Sequence, residues 1–167
     1  MTNSDAAPDE GPAGAAELAE QVGELAQEKG LRVAAAESLT GGKITTHLAA
    51  APSSASWFKG GVVAYAKEVK YDVLGVPEGP VVCEACARSM ASGVAKLMGA
   101  DAAVAVTGVG GPDEEEGQPV GTVWFGACVK GDVYAEQRTF DGDTEEILGA
   151  TVERGLQLLI ERVRAAD

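Results

Sequence analysis

A chain of 167 residues is long enough for one ordinary domain with its own core, and 46% apolar but only 5% aromatic content suits an α/β fold packed with small side chains. The formal net charge of −13 argues against nucleic acid and anionic membranes as partners, and no apolar run is long enough to span a bilayer. The first fourteen residues lack the basic and apolar regions of a secretory leader, and Cys83, Cys86 and Cys128 form no disulfide framework, so the expected setting is the reducing cytoplasm.

Residues 1–13 are rich in Asp, Pro, Gly, Ala and Ser and read as a disordered acidic tail, leaving residues 14–167 as a single domain. Ala15 to Lys29 carries a helical stripe of Leu18, Val22, Leu25 and Ala26, and Gly30 is a stop. Leu31 to Ala36 reads as a buried strand, Gly42 to Ala50 as a helix, and Trp57 to Ala66 as a second strand whose start is thinned by Gly60 and Gly61. Lys67 to Leu74 is a short helix and Val82 to Met98 a longer one. Ala102 to Val106 is a continuous apolar run of the kind a central strand needs. Val120 to Val129 and Val133 to Phe140 read as a hairpin, and Thr144 to Val163 as a closing amphipathic helix. This order predicts a mixed five-stranded sheet with helices on both faces, in which ligands lie beyond the carboxyl ends of the strands. Three polar stretches fall there: Ser38 with Gly41 and Gly42, Tyr65 to Lys70, and Thr107 to Pro112.

Ser38 ends a strand beside a helix start, where free amides attract negative charge. It reads either as a nucleophile next to an oxyanion site or as a helix cap. An α/β-hydrolase elbow is missing, and His47, the sole histidine, lies within a helix, so a Ser-His-Asp triad has little support. A lysine can replace the histidine where burial or a like charge depresses its pKa. Lys70, with Lys67 nearby, is the candidate; the plain alternative is a solvated helix lysine. These lysines belong to the one locally basic segment, in which Lys43, Lys59, Lys67 and Lys70 stand against Glu37 and Glu68. Gly42-Lys43-Ile44 fails the phosphate-loop pattern, which needs glycine at Glu37 and Ser or Thr at Ile44. Cys83 and Cys86 read as ordinary thiols. Thr107 to Pro112 is either a phosphate-cradling turn or a structural one, and Glu37 either orients a base, binds a hydroxyl group or is a strand-end carboxylate.

Together these stretches resemble the C-terminal domain of the competence/damage-inducible protein CinA, whose stand-alone members are nicotinamide mononucleotide amidases. Glu37-Ser38-Leu39-Thr40-Gly41-Gly42 is similar to that family's E-S-C-T-G-G motif, and Gly60 to Lys70 to its G-G-V-V-x-Y-x-N-x-x-K segment. Thr107 to Pro112 resembles T/S-G-I-A-G-P, and Pro119 to Val123 matches P-V-G-T-V. The resemblance covers about Leu18 to Ile160. It implies a three-layer α/β/α sandwich with a mixed, mostly parallel five-stranded sheet. It also implies hydrolysis of nicotinamide mononucleotide to nicotinic acid mononucleotide and ammonia, with Ser38 as nucleophile, Lys70 as base and Tyr65 beside them as the catalytic set. The implied substrate-binding residues are Glu37, Thr40, Gly41, Gly42, Lys67, Thr107, Gly108, Gly110 and Gly111, with backbone amides of Thr40 to Gly42 holding the oxyanion. No metal or cofactor is implied, and a homodimer is. The sequence departs from the family at Lys67, where the motif has asparagine, at Asp113 to Glu116, which replace a Gly-rich run, and at Thr144 and Leu148, which stand where arginines are usual. These departures give the alternative reading, a non-catalytic paralogue that binds a nucleotide or a protein.

Overall fold

The computed structural model describes residues 14–166, so the expected tail over residues 1–13 lies outside the described residues. The elements are α1 (Ala15–Lys29), β1 (Val33–Glu37), α2 (Lys43–Ala50), α3 (Ser54–Trp57), β2 (Phe58–Val63), α4 (Lys67–Leu74), α5 (Glu84–Met98), β3 (Ala102–Gly108), β4 (Thr122–Val129), β5 (Asp132–Thr139) and α6 (Thr144–Ala165). The strands form one sheet in the order β2-β1-β3-β4-β5. β2, β1 and β3 pair in parallel, and β4 runs antiparallel to both β3 and β5. Four strands thus share one direction, as expected of a mostly parallel mixed sheet. Among the described residues no helix is long and apolar enough to cross a membrane.

Alternation along the strands sorts the core into two layers. Val33, Ala35, Val104, Val106, Phe125 and Ala127 face α1, α2 and α6, while Ala34, Ala36, Ala103 and Ala105 face α5. The second layer is built from alanines because α5 lies close to the sheet: a Cβ on Gly126 would collide with the Ala87 carbonyl. β1 is buried at every position, as a strand covered on both faces must be.

Several details differ from the sequence reading, among them the end of β2 at Val63 rather than Ala66 and the start of β4 at Thr122 rather than Val120. Trp57 does not open β2; it closes the short helix α3, is almost fully buried, and donates Nε1–H to the Pro52 carbonyl at 3.2 Å. Gly61 is not a weak start to β2 but a close approach, since a side chain there would strike Thr45 of α2. α5 begins at Glu84 rather than Val82, because the Val81 and Val82 amides bond to the Glu116 carboxylate instead of entering the helix. The hairpin between β4 and β5 turns through Lys130 and Gly131, both at positive φ, the mirror-image geometry that suits strand twist.

At the far edge, Glu136 of β5 accepts two bonds from Arg154 of α6, at 2.6 and 3.0 Å, and one from Arg138 at 2.6 Å. Burial alone would raise its pKa, but the guanidinium hydrogen bonds outweigh it and hold the carboxyl at about 2. A depressed carboxylate pKa adds stability above the unfolded value that is lost as pH falls towards the folded one. Glu136→Gln is therefore expected to lower stability at pH 7 by about 1–3 kcal/mol and to cost much less near pH 2. Denaturant melts at the two pH values check this; an equal loss at both would overturn it.

Candidate active site

The sheet's strand order decides what meets what. The chain passes from β1 to β2 on one side and returns to β3 on the other, so the carboxyl ends of three adjacent parallel strands open onto one crevice. β1 delivers Ser38, the turn after β2 delivers Tyr65 and then α4 with Lys67 and Lys70, and β3 delivers Thr107 and the glycines that follow. Ser38, Tyr65, Lys67, Lys70, Thr107, Gly108, Gly110 and Gly111 line a single cavity of about 600 Å³, a volume suited to a small ligand.

At its floor, Lys70 Nζ lies 2.9 Å from Ser38 Oγ and donates to the Ala64 and Tyr65 carbonyls at 2.7 and 3.1 Å. Ser38 is 7% exposed and Lys70 2%, and no carboxylate forms an ion pair with the amine among the described residues. Burial pushes the Lys70 pKa below the usual lysine range, and Lys67 adds to this through like charge; Cys86, Glu115 and Glu116 oppose it. The Cys86 thiol is itself pushed up to about 11, by burial first, so at neutral pH it is uncharged and offers no counter-ion. When Lys70 loses its proton, its two remaining N–H bonds satisfy the two carbonyls and the lone pair is left facing the Ser38 hydroxyl. The geometry thus meets the first requirement of a general base, hydrogen-bond reach of the proton it removes.

Ser38 is not the cap of α2. Glu37 is: its carboxylate accepts from the Ile44 and Thr45 amides at 2.9 Å each and from the Thr40 hydroxyl at 2.6 Å. Glu37 and Thr40 are fully buried. Neither lines the cavity, nor do Gly41 and Gly42, and the side chains of Glu37 and Thr40 are engaged with each other and with the start of α2. Gly41 donates its amide to the Ser38 carbonyl at 3.1 Å, whereas no acceptor takes the Thr40 or Gly42 amide among the described residues. Gly41 and Gly42 both sit at positive φ, which explains the glycine pair without a ligand. His47 of α2 also lies outside the cavity.

Thr107 points its hydroxyl at the Val81 carbonyl, 2.7 Å away, and so ties the segment before α5 to the end of β3. Gly108 is a close approach, since a side chain would collide with β4, and Gly111 has φ 93° against Val120. The turn is therefore partly structural, while Gly108, Gly110 and Gly111 still face the cavity.

The sequence reading missed several residues of the wall. Val81 and Val82 line it, and the Glu116 carboxylate bridges their amides at 2.6 and 3.0 Å. Glu115, Glu116, Thr144 and Leu148 complete the rim. Two members of the acidic loop, Glu115 and Glu116, thus border the site, while all of Asp113 to Glu116 stay exposed to solvent. α6 reaches the rim from a capping box, in which Asp143 accepts the Glu146 amide at 2.8 Å; the Asp-Thr-Glu-Glu order was the available signal. Among the described residues no group of three or more His, Cys, Asp or Glu is placed to hold a metal ion.

The family model of the CinA C-terminal domain matches residues 15–163. The chain belongs to this family. A putative competence-damage inducible protein of Listeria welshimeri is 40% identical over 152 residues, covering 87% of this chain and 37% of that protein. A CinA-like protein of Dictyoglomus turgidum is 38% identical over 152 residues, with the same coverage of 87% and 37%. The chain thus spans about 37% of the length of these curated relatives. Solved structures match it over most or all of their length: competence damage-inducible protein A from Klebsiella pneumoniae superposes with a TM-score of 0.89 at 35% identity, covering 93% of this chain and 100% of that one. The competence/damage inducible protein of Agrobacterium tumefaciens gives 0.84 at 34% identity, covering 90% and 96%. The mixed five-stranded sheet with helices on both faces is therefore a CinA C-terminal domain.

Glu37 fixes both the start of α2 and the end of β1, so it also fixes where Ser38 stands. Glu37→Ala is expected to cost about 1–2 kcal/mol, as loss of a helix cap does, and to loosen the Ser38–Lys70 contact. Thermal melts give the first quantity. A crystal structure of the variant with the contact still at 2.9 Å would refute the second.

Proposed function

We propose that this CinA domain is a Ser-Lys amidohydrolase that converts nicotinamide mononucleotide and water to nicotinic acid mononucleotide and ammonia. The observation that carries the reading is a buried lysine that forms no ion pair among the described residues, 2.9 Å from a serine hydroxyl at the floor of a ligand-sized cavity. A surface lysine beside a serine would be uninformative. A buried one, held by two carbonyls and pushed down in pKa by burial, is biased towards the neutral form a base needs.

The geometry supports the following steps. Ser38 Oγ attacks the carboxamide carbon while its proton passes to Lys70 Nζ. The carbonyl oxygen becomes an oxyanion, for which the turn that follows Ser38 is a source of backbone amides. The carbon–nitrogen bond then breaks, and the Lys70 proton leaves with ammonia. An ester to Ser38 remains. Water, deprotonated by Lys70, attacks it, and the carboxylate product departs as Ser38 regains its proton. Tyr65 serves through its carbonyl, which orients Nζ, and lends its ring to the rim. Lys67, exposed at the same rim, is the available partner for the nucleotide phosphate.

Ammonia release from nicotinamide mononucleotide is the direct assay. Ser38→Ala and Lys70→Met are each expected to lower kcat/KM by at least about 10³-fold, the scale of losing a nucleophile or its base. Folded wild-type protein that releases no ammonia would sink the reading. The pH profile is a second check. Because the base works only when neutral, kcat/KM should rise with pH and level off below the ordinary lysine value of 10.5. A rise that continues past that value would remove Lys70 as the base.

A further inference from the structure

Resting on the amidase reading, the structure assigns the cavity a preference within carboxamides: we propose that it reads the positive charge of the ring bearing the amide, with Tyr65 stacking on that ring and Glu115 and Glu116 supplying the counter-charge. Within the proposed substrate the ring charge is then a recognised feature, and a neutral-ring carboxamide of the same shape binds more weakly.

Three observations meet here. Tyr65 is 73% exposed, the most exposed large hydrophobic side chain of the described residues, and it lines the cavity. Its carbonyl is tethered to Lys70 Nζ, so the backbone is fixed while the ring stands free at the rim. An exposed aromatic face on a fixed backbone beside a reactive pair is placed to cover a flat ring whose amide reaches Ser38. An aromatic face prefers a cation to a neutral group.

The charges of the wall point the same way. Glu116 lines the cavity with its carboxylate anchored on the Val81 and Val82 amides, so its charge cannot swing away into solvent. Glu115 lines the same wall, and its carboxylate takes no hydrogen bond among the described residues. Both lie near enough to Lys70 to act on its charge. Lys70 working as a neutral base leaves them without a cation at the floor. A pyridinium ring delivered there restores one, while a substrate phosphate can meet Lys67 at the rim. The wall therefore carries opposite charges, as does a pyridinium nucleotide.

Nicotinamide mononucleotide and its 1,4-dihydro form test this, because reduction removes the ring charge and leaves carboxamide, ribose and phosphate in place. A charged ring also makes the carbonyl more electrophilic, so rates alone would mislead. The readout is the equilibrium dissociation constant of each compound with the Ser38→Ala protein, by calorimetry. The cationic form is expected to bind more tightly by roughly threefold to thirtyfold, the span of a cation–π contact. Glu115→Gln with Glu116→Gln should collapse that ratio, and so should Tyr65→Ala, while Tyr65→Phe should keep it. Glutamine retains an acceptor for the Val81 and Val82 amides, and a thermal melt confirms that the loop variants fold. A ratio under twofold overturns the proposal, as does a ratio that survives either the double Glu→Gln change or Tyr65→Ala. Ammonia release without this selectivity would leave the amidase reading standing and the inference refuted. Selective binding without ammonia release by the wild type would do the reverse.

Discussion

Everything at the carboxyl end of this sheet turns on one amine kept out of water. Among the described residues no carboxylate forms an ion pair with Lys70, so its ammonium form is costly where it lies, and the fold must hold it by other means. It does so with backbone carbonyls. Ala64 and Tyr65 accept from Nζ, and Ala64 is itself locked to β1 by its amide, 2.7 Å from the Glu37 carbonyl. The lysine is therefore positioned by the same strand that carries the serine. Pairing between β1 and β2 and placement of the base are a single event.

Glu37 extends that logic to the other side. A charged carboxylate at the end of a buried strand would be unfavourable alone, but two amides of α2 and a hydroxyl satisfy it. It fills the need for a cap and leaves Ser38 free of it. Two neighbouring residues that both looked like candidates for chemistry have divided the work. One neutralises the helix start, and the other is presented to the cavity.

How much of this was legible depends on the range of each interaction. The apolar run of β3, the closing stripe of α6 and the Gly-rich turns carry their structure locally, so the fold class and three converging polar stretches could be read directly. Ser38 and Lys70 lie 32 residues apart and could be joined only through the strand order. The role of Glu37 was missed because its partners fold back from seven and eight residues ahead, and a strand-end carboxylate without them reads as exposed. Glu116 was harder still. Its amides lie 34 and 35 residues before it, in a stretch whose own pattern spells only a turn. Trp57 was assigned to a strand by its side-chain type, yet its burial against α1, where Gly23 makes room, decided for a helix end.

The alanine layer beneath α5 has a further effect, on where this domain can be altered. On that face Ala34, Ala36, Ala103 and Ala105 leave no slack, and an added methyl group displaces a helix at a cost of about 1–3 kcal/mol. The displaced helix is also the one whose leading segment, Val81 and Val82, closes the cavity wall. Repacking for heat resistance on that side would therefore disturb ligand binding as well. The opposite layer, with its valines, leucines and isoleucines between α1, α6 and the sheet, can exchange volume among larger side chains. Engineering for robustness belongs there, away from the starts of α2 and α6, which border the site.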